Sequence, residues 1–469
     1  MNILFAIKNI DIEHLGVMLF SSLMKKQGHR LEVCEARYDK IARRLNKGDI
    51  SIVAYSVTTI FYLSYLKLNQ QLKKKHDFLS VFGGPHPTFA PDIIKEEGVD
   101  CICRGEGELA LMELVERYSQ NKSIRTIKNL WVKERHEIFQ NSLRPLLQDL
   151  DNLPFPDRQL FPKNETFFKG KMHVITSRGC SYECSYCCHP AYRQLYGDEG
   201  RMIRRRSVEN VIEEIWQVKK KTSLKLVMFE DDLFVSSPKW IDEFCYCYEK
   251  EIRIPFFCYV RAEFVSRALV KQLKRAGCVS ISMGLETADD YLRNIILKRS
   301  MSKETIADAA KIIKEEKIKL ETMNILAIPG GSLEADFETL KFNIECRTDY
   351  SSVKLLMPYP GTQIHGTVEK KKLLMEKYPS SPWISPLRFV TKKEKHATEN
   401  LHKLFSITAA FPFLFPLLKT LIYLPFDRFY ILINLFWEGY ASFFRLYPTG
   451  YRGFWRGISK YRRIFRRSL

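Results

Sequence analysis

No stretch of the chain offers the about 20 consecutive apolar residues that a helix needs to cross a bilayer. The uncharged run Leu404 to Leu418 is interrupted by Pro412 and Pro416. The N-terminus, Met1-Asn-Ile-Leu-Phe-Ala-Ile-Lys8, lacks the basic flank, long apolar region and cleavage site of a secretory signal. The 12 cysteines are therefore expected in a reducing cytoplasm and not in a disulfide framework. A second Cys-x-x-Cys pair, as many zinc sites use, is missing as well: Cys245 and Cys247 are one residue apart in a helical pattern. Acid is absent from Ala441 to Leu469, where eight Lys or Arg contribute to a net charge of +20. What is present describes a folded protein. Hydrophobic residues make up 45% and charged residues 27%, and 469 residues give room for two or three domains, each with its own core.

The most concentrated chemistry lies in Thr176-Ser-Arg-Gly-Cys180-Ser-Tyr-Glu-Cys184-Ser-Tyr-Cys187-Cys-His-Pro190. Three thiols at Cys-x-x-x-Cys-x-x-Cys spacing sit in one loop after a short apolar run. Thiolates are soft ligands that select iron-sulfur clusters, zinc or copper, and three of them leave a fourth coordination position open. On the residues alone, zinc completed by His189 or Cys188, or a group of buried inert thiols, remains an alternative.

The spacing of Cys180, Cys184 and Cys187, with the aromatic Tyr186 before the last thiol, resembles the motif of the radical S-adenosylmethionine (SAM) family. The resemblance implies that the three cysteines hold a 4Fe-4S cluster and that SAM chelates the remaining iron through its amino and carboxylate groups. It further implies that an electron from the cluster cleaves SAM to a 5'-deoxyadenosyl radical.

Ahead of this loop, strands alternate with helical patterns: Asn2 to Ile7, Leu15 to Gln27, Ile52 to Val57 and Phe78 to Gly84. Near-continuous apolar strands argue for a parallel sheet covered on both faces, whose ligand sits beyond the carboxyl ends of the strands. The special residues fall at those ends: His14, Leu15 and Gly16; Ser56 and Thr58; Gly83, Gly84 and Pro85; Gly105 and Glu106. Glycines let the backbone approach a bulky ligand, and hydroxyls can bond its polar edge. This joint placement resembles the cobalamin-binding domain that precedes the radical barrel in one branch of the family. The branch pattern Asp-x-His-x-x-Gly is met one place late, as Asp11-Ile-Glu-His14-Leu-Gly16. A base-off cofactor without a bond from His14 to cobalt is therefore expected.

From residue 165 to 365 a strand-then-helix rhythm recurs about six times, which implies parallel strands with right-handed crossovers in a partial (β/α)6 barrel. In barrels of this type the site lies at the C-terminal strand ends. Glu230 and Asp231 follow the second strand, Arg261 the third, Glu286 the fourth, and Pro329 and Gly330 the fifth. The resemblance places the methionine part of SAM near Glu230 and Asp231, its carboxylate against Arg261, the ribose at Glu286 and the adenine over Pro329 and Gly330. The basic run Arg201 to Arg206 is either a solvated face or the seat of an acidic substrate group.

The expected architecture is α/β: a doubly wound, Rossmann-like cobalamin-binding domain over residues 1–143, a proline-rich linker over 144–164, the radical SAM barrel over 165–365, and an α-helical, basic and apolar region over 366–469. That last region is either a buried helical domain or an interfacial hairpin on the inner face of the cell membrane. Nucleic acid is not expected, because no recognition module precedes the basic tail. The chain most resembles radical SAM methyltransferases and the anaerobic magnesium-protoporphyrin monomethyl ester cyclase. The expected reaction is cobalamin-dependent methylation of an unactivated carbon on a small hydrophobic substrate, with an external electron donor of flavodoxin or ferredoxin type. An oxidative cyclase of a tetrapyrrole or lipid is the alternative within the class, and a non-enzymatic metal or electron-transfer module the alternative outside it.

Overall fold

The computed structural model describes residues 1–447 apart from 11, 162–169, 198–199, 376–377 and 380. The basic tail beyond residue 447, including Trp455, and Asp11 of the cobalamin-type pattern lie outside the described residues. The chain divides into two compact units, Met1–Lys169 with Ala191–Met202, and Gly170–Pro190 with Ile203–Leu469.

The first unit is built on seven strands: β1 (Asn2–Ile7), β2 (Arg30–Glu35), β3 (Ile50–Ser56), β4 (Leu79–Gly83), β5 (Cys101–Cys103), β6 (Leu130–Glu134) and β7 (Glu137–Gln140). Their order is β2-β1-β3-β4-β5-β6-β7, parallel through β5 and antiparallel beyond it. Alternate residues of each strand enter different cores. Ile3, Phe5, Ile52, Ala54 and Val81 pack on one face, and Leu4, Ala6, Val53, Tyr55 and Phe82 on the other. Each such aliphatic or aromatic side chain withdrawn from water contributes about 1.5–3 kcal/mol, and helices on both faces make that burial continuous. Strand β2 escaped the sequence pattern because it is an edge strand, Arg-Leu-Glu-Val-Cys-Glu, with Leu31 alone fully buried. The segment from residue 144 lies along this unit: Ser22 Oγ donates to Phe155 O at 2.6 Å, and Lys25 pairs with Asp157 at 2.7 Å.

The second unit opens with β8 (Lys171–Val174), followed by the short β9 (Ser177–Arg178), which pairs antiparallel with β10 (Arg204–Arg205). Then come β11 (Leu226–Phe229), β12 (Phe256–Val260), β13 (Cys278–Glu286), β14 (Lys319–Leu326) and β15 (Tyr350–Leu355). The main sheet runs β15-β14-β13-β12-β11-β8 with every pair parallel, so the chain lays strands down in spatial order as an open barrel. Helices between them start where the sequence supplies a cap. Ser207, Ser266, Ser302 and Ser332 each accept from the backbone N–H three residues on, satisfying one donor that the first turn leaves over. Phe256, Cys258 and Val260 face these helices, whereas Phe257 and Tyr259 point to the concave side. Cys258 and Cys278 are therefore core thiols.

Helix Lys392–Ala410 continues this rhythm after β15. Its Leu401, Leu404 and Phe405 pack on Leu326, Val353 and Leu355, and His402 Nε2 lies 3.2 Å from Val353 O. Among the described residues no helix is long and apolar enough to cross a membrane.

Candidate functional site

The cysteine loop is tied down at both ends. At its start, the buried Asp231 accepts from Thr176 N–H at 3.1 Å and from Thr176 Oγ1 at 2.7 Å, and also from Ser177 Oγ. Burial pushes this carboxyl up, and the hydroxyl and backbone donors oppose that rise. At its end, Ser185 N–H donates to Leu297 O at 3.0 Å, and Ser185 Oγ to Ile296 O at 2.6 Å. Between these anchors Gly179 takes φ 92°, a left-handed turn that favours glycine, and the chain then passes Cys180, the buried Cys184 and Cys187.

Arg261 at the end of β12 reaches the middle of the loop. Its Nε donates to Glu263 at 2.7 Å, one terminal nitrogen to Arg299 O at 2.8 Å and the other to Cys184 Sγ at 3.6 Å, while its plane lies 3.4 Å from the Tyr182 ring centroid. That contact fixes the position of the central cysteine in the loop. Burial pushes the Cys180 thiol up, and hydrogen bonding to Cys188 together with burial does the same for Cys187. Three thiols of one loop, two of them hard to ionise on their own, make a donor set that a soft metal centre would deprotonate. Among the described residues no three His, Cys, Asp or Glu already stand in metal-holding geometry. His189, a candidate fourth zinc ligand, has Nε2 at 2.8 Å from Asp232.

A second constellation holds the aromatic of the motif. Tyr186 Oη donates to Glu286 Oε1 at 2.9 Å, Arg299 donates to Tyr186 Oη at 3.1 Å and lies 3.3 Å from the same Glu286 oxygen, and its other terminal nitrogen donates to Gly284 O at 2.8 Å. All three side chains are largely shielded. Burial pushes Glu286 up, whereas Arg299 and Tyr186 pull it back toward the carboxylate. Glu286 sits at φ 66°, and a Cβ on Gly284 would stand 2.6 Å from its Oε1 and 2.7 Å from Arg299. A side chain at Gly284 would have to displace the ends of Glu286 and Arg299. Ile328 packs with Leu292 and Leu297 in the cluster that also takes the Tyr186 ring, which brings the Pro329-Gly330 turn to the same rim. That turn lines a cavity of about 170 Å³ with Asp336 and Arg388, and burial pushes Asp336 up to about 8.

Glu230 faces the concave side of the sheet, where its Oε1 lies 2.7 Å from His173 Nδ1. Burial also pushes Glu321 of β14 up, to about 7, with Glu230 adding to the rise. Of the basic run, Arg205 donates to Leu233 O, Phe234 O and Ser236 Oγ, all at 3.0 Å, and Arg206 pairs with the buried Glu214 at 2.6 Å. These two arginines brace the unit internally, which neither sequence alternative foresaw. Arg299, Tyr182 and Glu321 were not among the candidates, because nothing in the Lys298-Arg299-Ser300 context separates a buried arginine from a surface one.

In the first unit, a cavity of about 210 Å³ opens at the carboxyl ends of β1, β3, β4 and β5. Gly16, Ser56, Gly83, Gly84, Gly105 and Glu106 line it, six of the residues singled out from the sequence. Gly84 has φ 101°, and a Cβ there would stand 3.0 Å from Val57 N and O; Gly105 has φ 71°, with Tyr196 Oη 2.0 Å from where its Cβ would be. Tyr196 Oη accepts from Glu106 N–H at 2.8 Å. Leu15, Thr58, Pro85 and His14 do not line the cavity. His14 Nε2 lies 2.9 Å from Asn9 O, and burial pulls its pKa down, so its ring is held in the local turn. The cavity is smaller than the roughly 300–1,000 Å³ typical of a site for a whole ligand, and it suits one heterocyclic arm of a larger cofactor.

Two family models match the chain: the B12 binding domain over residues 4–115 and the radical SAM superfamily over residues 174–342. This is a B12-binding radical SAM enzyme. The enzyme is 27% identical over 395 residues to an uncharacterised methyltransferase of Pyrococcus horikoshii, covering 81% of this chain and 84% of that one. It is 26% identical over 345 residues to the anaerobic magnesium-protoporphyrin IX monomethyl ester cyclase of Cereibacter sphaeroides, over 70% of this chain but only 54% of the cyclase. Among solved structures, the cobalamin-dependent SAM radical enzyme OxsB, with aqua-cobalamin and SAM bound, shares the fold at TM-score 0.66 and 17% identity, covering 99% of this chain and 75% of that one. The cofactors of the enzyme are a 4Fe-4S cluster, SAM and cobalamin, and it needs a reductant and a small-molecule substrate.

Proposed function

We propose that this enzyme methylates an unactivated carbon of a hydrophobic small molecule. The observation that carries the reading is the pairing, on one chain, of a three-thiol loop at barrel strand ends with a glycine-walled cavity at the strand ends of a doubly wound sheet. When bound, the cluster supplies the electron that cleaves SAM, and cobalamin supplies the methyl group.

The residues have distinct tasks. Cys180, Cys184 and Cys187 would hold the cluster through Sγ. Arg261, with its donors committed to Glu263, Cys184 and Arg299 O, positions the central cysteine, a different use from the expected clamp on the SAM carboxylate. Asp231 braces the loop start through Thr176 and Ser177. Tyr186, Glu286 and Arg299 set the loop end, Glu230 and His173 present a polar pair on the concave side, and Pro329 and Gly330 offer a flat turn suited to adenine. Gly16, Ser56, Gly83, Gly84, Gly105 and Glu106 would take a buried arm of base-off cobalamin. The domain limits inferred from sequence, 1–143, 144–164, 165–365 and 366–469, belong to the same reading. So do a flavodoxin- or ferredoxin-type donor and a cytoplasmic location, peripheral on the inner face of the cell membrane.

Anaerobic reconstitution tests the proposal. With reductant, the protein should cleave SAM to 5'-deoxyadenosine, Cys184→Ala should abolish cleavage, and label from the SAM methyl should reach product in extracts supplied with cobalamin. Cleavage retained in Cys184→Ala would defeat the assignment of the loop. Oxidative cyclisation is the second reading, favoured by the similarity to the cyclase, and a product lacking the label would select it.

A further inference from the structure

A further cavity, of about 740 Å³, lies in the second unit at the amino ends of the barrel strands, the end opposite the cysteine loop. Pro255 precedes β12, Gly277 and Cys278 lead into β13, and Lys317 and Lys319 lead into β14. Its size falls within the roughly 300–1,000 Å³ of a site for a whole ligand, unlike the two smaller cavities. Strand β13 runs nine residues from this end to Glu286, roughly 27 Å at about 3.3 Å each, so what binds here is not the molecule that reacts at the cysteine loop.

The lining is strongly cationic. Arg253, Lys274, Arg275, Lys317, Lys319 and Arg445 stand against a single acid, Glu249. Part of that charge is committed within the fold: Arg275 Nε pairs with Glu249 at 3.1 Å, Arg253 Nε donates to Glu249 O at 3.0 Å, Lys274 Nζ to Glu316 O at 2.6 Å, and Lys319 pairs with Asp349 at 3.2 Å. Arg445 differs. Its plane lies 5.4 Å from the Trp437 ring centroid, and its Nη1 is shielded from solvent with no hydrogen-bond acceptor. A charged donor withdrawn from water without an acceptor is costly, and an anion in the cavity would supply the acceptor.

We propose that this cavity is a binding site for a nucleoside diphosphate, with its phosphates on Arg253, Lys317 and Arg445 and its ring against Pro255, Leu446 and Tyr447. A diphosphate offers several acceptor oxygens and more than one negative charge, which a single carboxylate does not, and guanidinium forks match it. The Tyr447 ring is held edge-on to Phe257 at 5.7 Å, so the apolar wall exists before a ligand arrives. A nucleic-acid strand fits less well, because it needs a groove that follows its backbone beyond the length of one small molecule. Occupancy would tie the entries of β12, β13 and β14 to the residues that follow helix Asp427–Tyr440, so binding stabilises the unit.

Calorimetric titration of the full-length, cluster-reconstituted protein with uridine diphosphate (UDP) tests this, in the presence of saturating S-adenosylhomocysteine and hydroxocobalamin so that neither cofactor site is read. UDP should bind saturably at one site per chain, at least about tenfold more tightly than uridine or pyrophosphate, and should raise the thermal midpoint. The double variant Arg253→Glu, Lys317→Glu changes two exposed positions and should weaken UDP binding at least about tenfold, with the midpoint in the absence of UDP unchanged. The single variant Lys317→Glu should weaken it in part. Lys271→Glu, on helix Arg267–Ala276 but outside the cavity, should leave UDP affinity within about twofold. UDP that does not bind saturably, or a double variant that binds it as well as wild type, overturns the proposal. Uridine or pyrophosphate binding as tightly as UDP does so too, the first by removing the share of the phosphates and the second that of the ring. A loss in Lys271→Glu as large as in the double variant also overturns it, by assigning the effect to surface charge at large. None of these readings depends on SAM cleavage.

Discussion

Single residues decide whether the loop chemistry works, and most of them act through another residue. Arg261 couples β12, Arg299 and Cys184 in one guanidinium. Arg261→Gln keeps a planar amide but removes the charge and two donors, and is expected to lower cluster retention about 10–100-fold with the fold intact, read as iron content and the reduced-cluster EPR signal. Asp336 predicts a pH effect. Its folded pKa of about 8 is raised by burial from an unfolded value of 3.8, so the folded state binds the proton more tightly. Stability then falls as pH rises from about 4 toward 8. Asp336→Asn should flatten that decline, measured as urea midpoints at pH 5 and pH 8; an unchanged slope would show the carboxyl is not held protonated. At this scale the sequence exposed the cysteines, because their spacing is local, whereas Arg299 and Tyr182 gain meaning only from tertiary partners such as Tyr186 and Arg261.

At the scale of elements, patterning did most of the work. Six barrel strands were legible as apolar runs, since burial on both faces removes the need for polar alternation. Boundaries moved where polar residues belong to the sheet: β3 begins at Ile50 and includes Ser51, ahead of the run that starts at Ile52. Caps mark helix starts independently of hydrophobicity. Ser302 Oγ accepts from Thr305 N–H at 3.1 Å, so Ser302→Ala should cost about 1 kcal/mol by thermal or urea denaturation without touching cluster content. The short edge strands β2 and β7 stayed hidden because an edge buries too little to leave a signal.

For the whole molecule, the two units can be perturbed separately. Gly16 lines the cobalamin-type cavity, and a Cβ there would meet nothing within 4 Å, so a larger side chain enters open space without displacing backbone. Gly16→Leu is expected to weaken cobalamin binding at least about tenfold by filling part of the cavity, while SAM cleavage persists; titration of the visible absorption checks the first and 5'-deoxyadenosine formation the second. Loss of both activities would mean the substitution disturbs more than the cavity.

Local spacing by itself determined that the three thiols form one soft-metal donor set, and the resemblance it carries pointed to the class. Three thiols within eight residues must share one loop wherever the chain goes, and glycines at strand ends mark close approach in any parallel sheet. Tertiary structure alone decided which charges serve the site and which serve the frame. Asp231 read as a ligand-facing group, and Arg205 and Arg206 as either a solvated face or the seat of an acidic substrate group, yet all three bind backbone and side chains of their own unit, because a buried charge without partners costs more than folding can supply. It decided, too, the rotation of helix Asp427–Tyr440, which Lys403 and Asn434 set and composition does not.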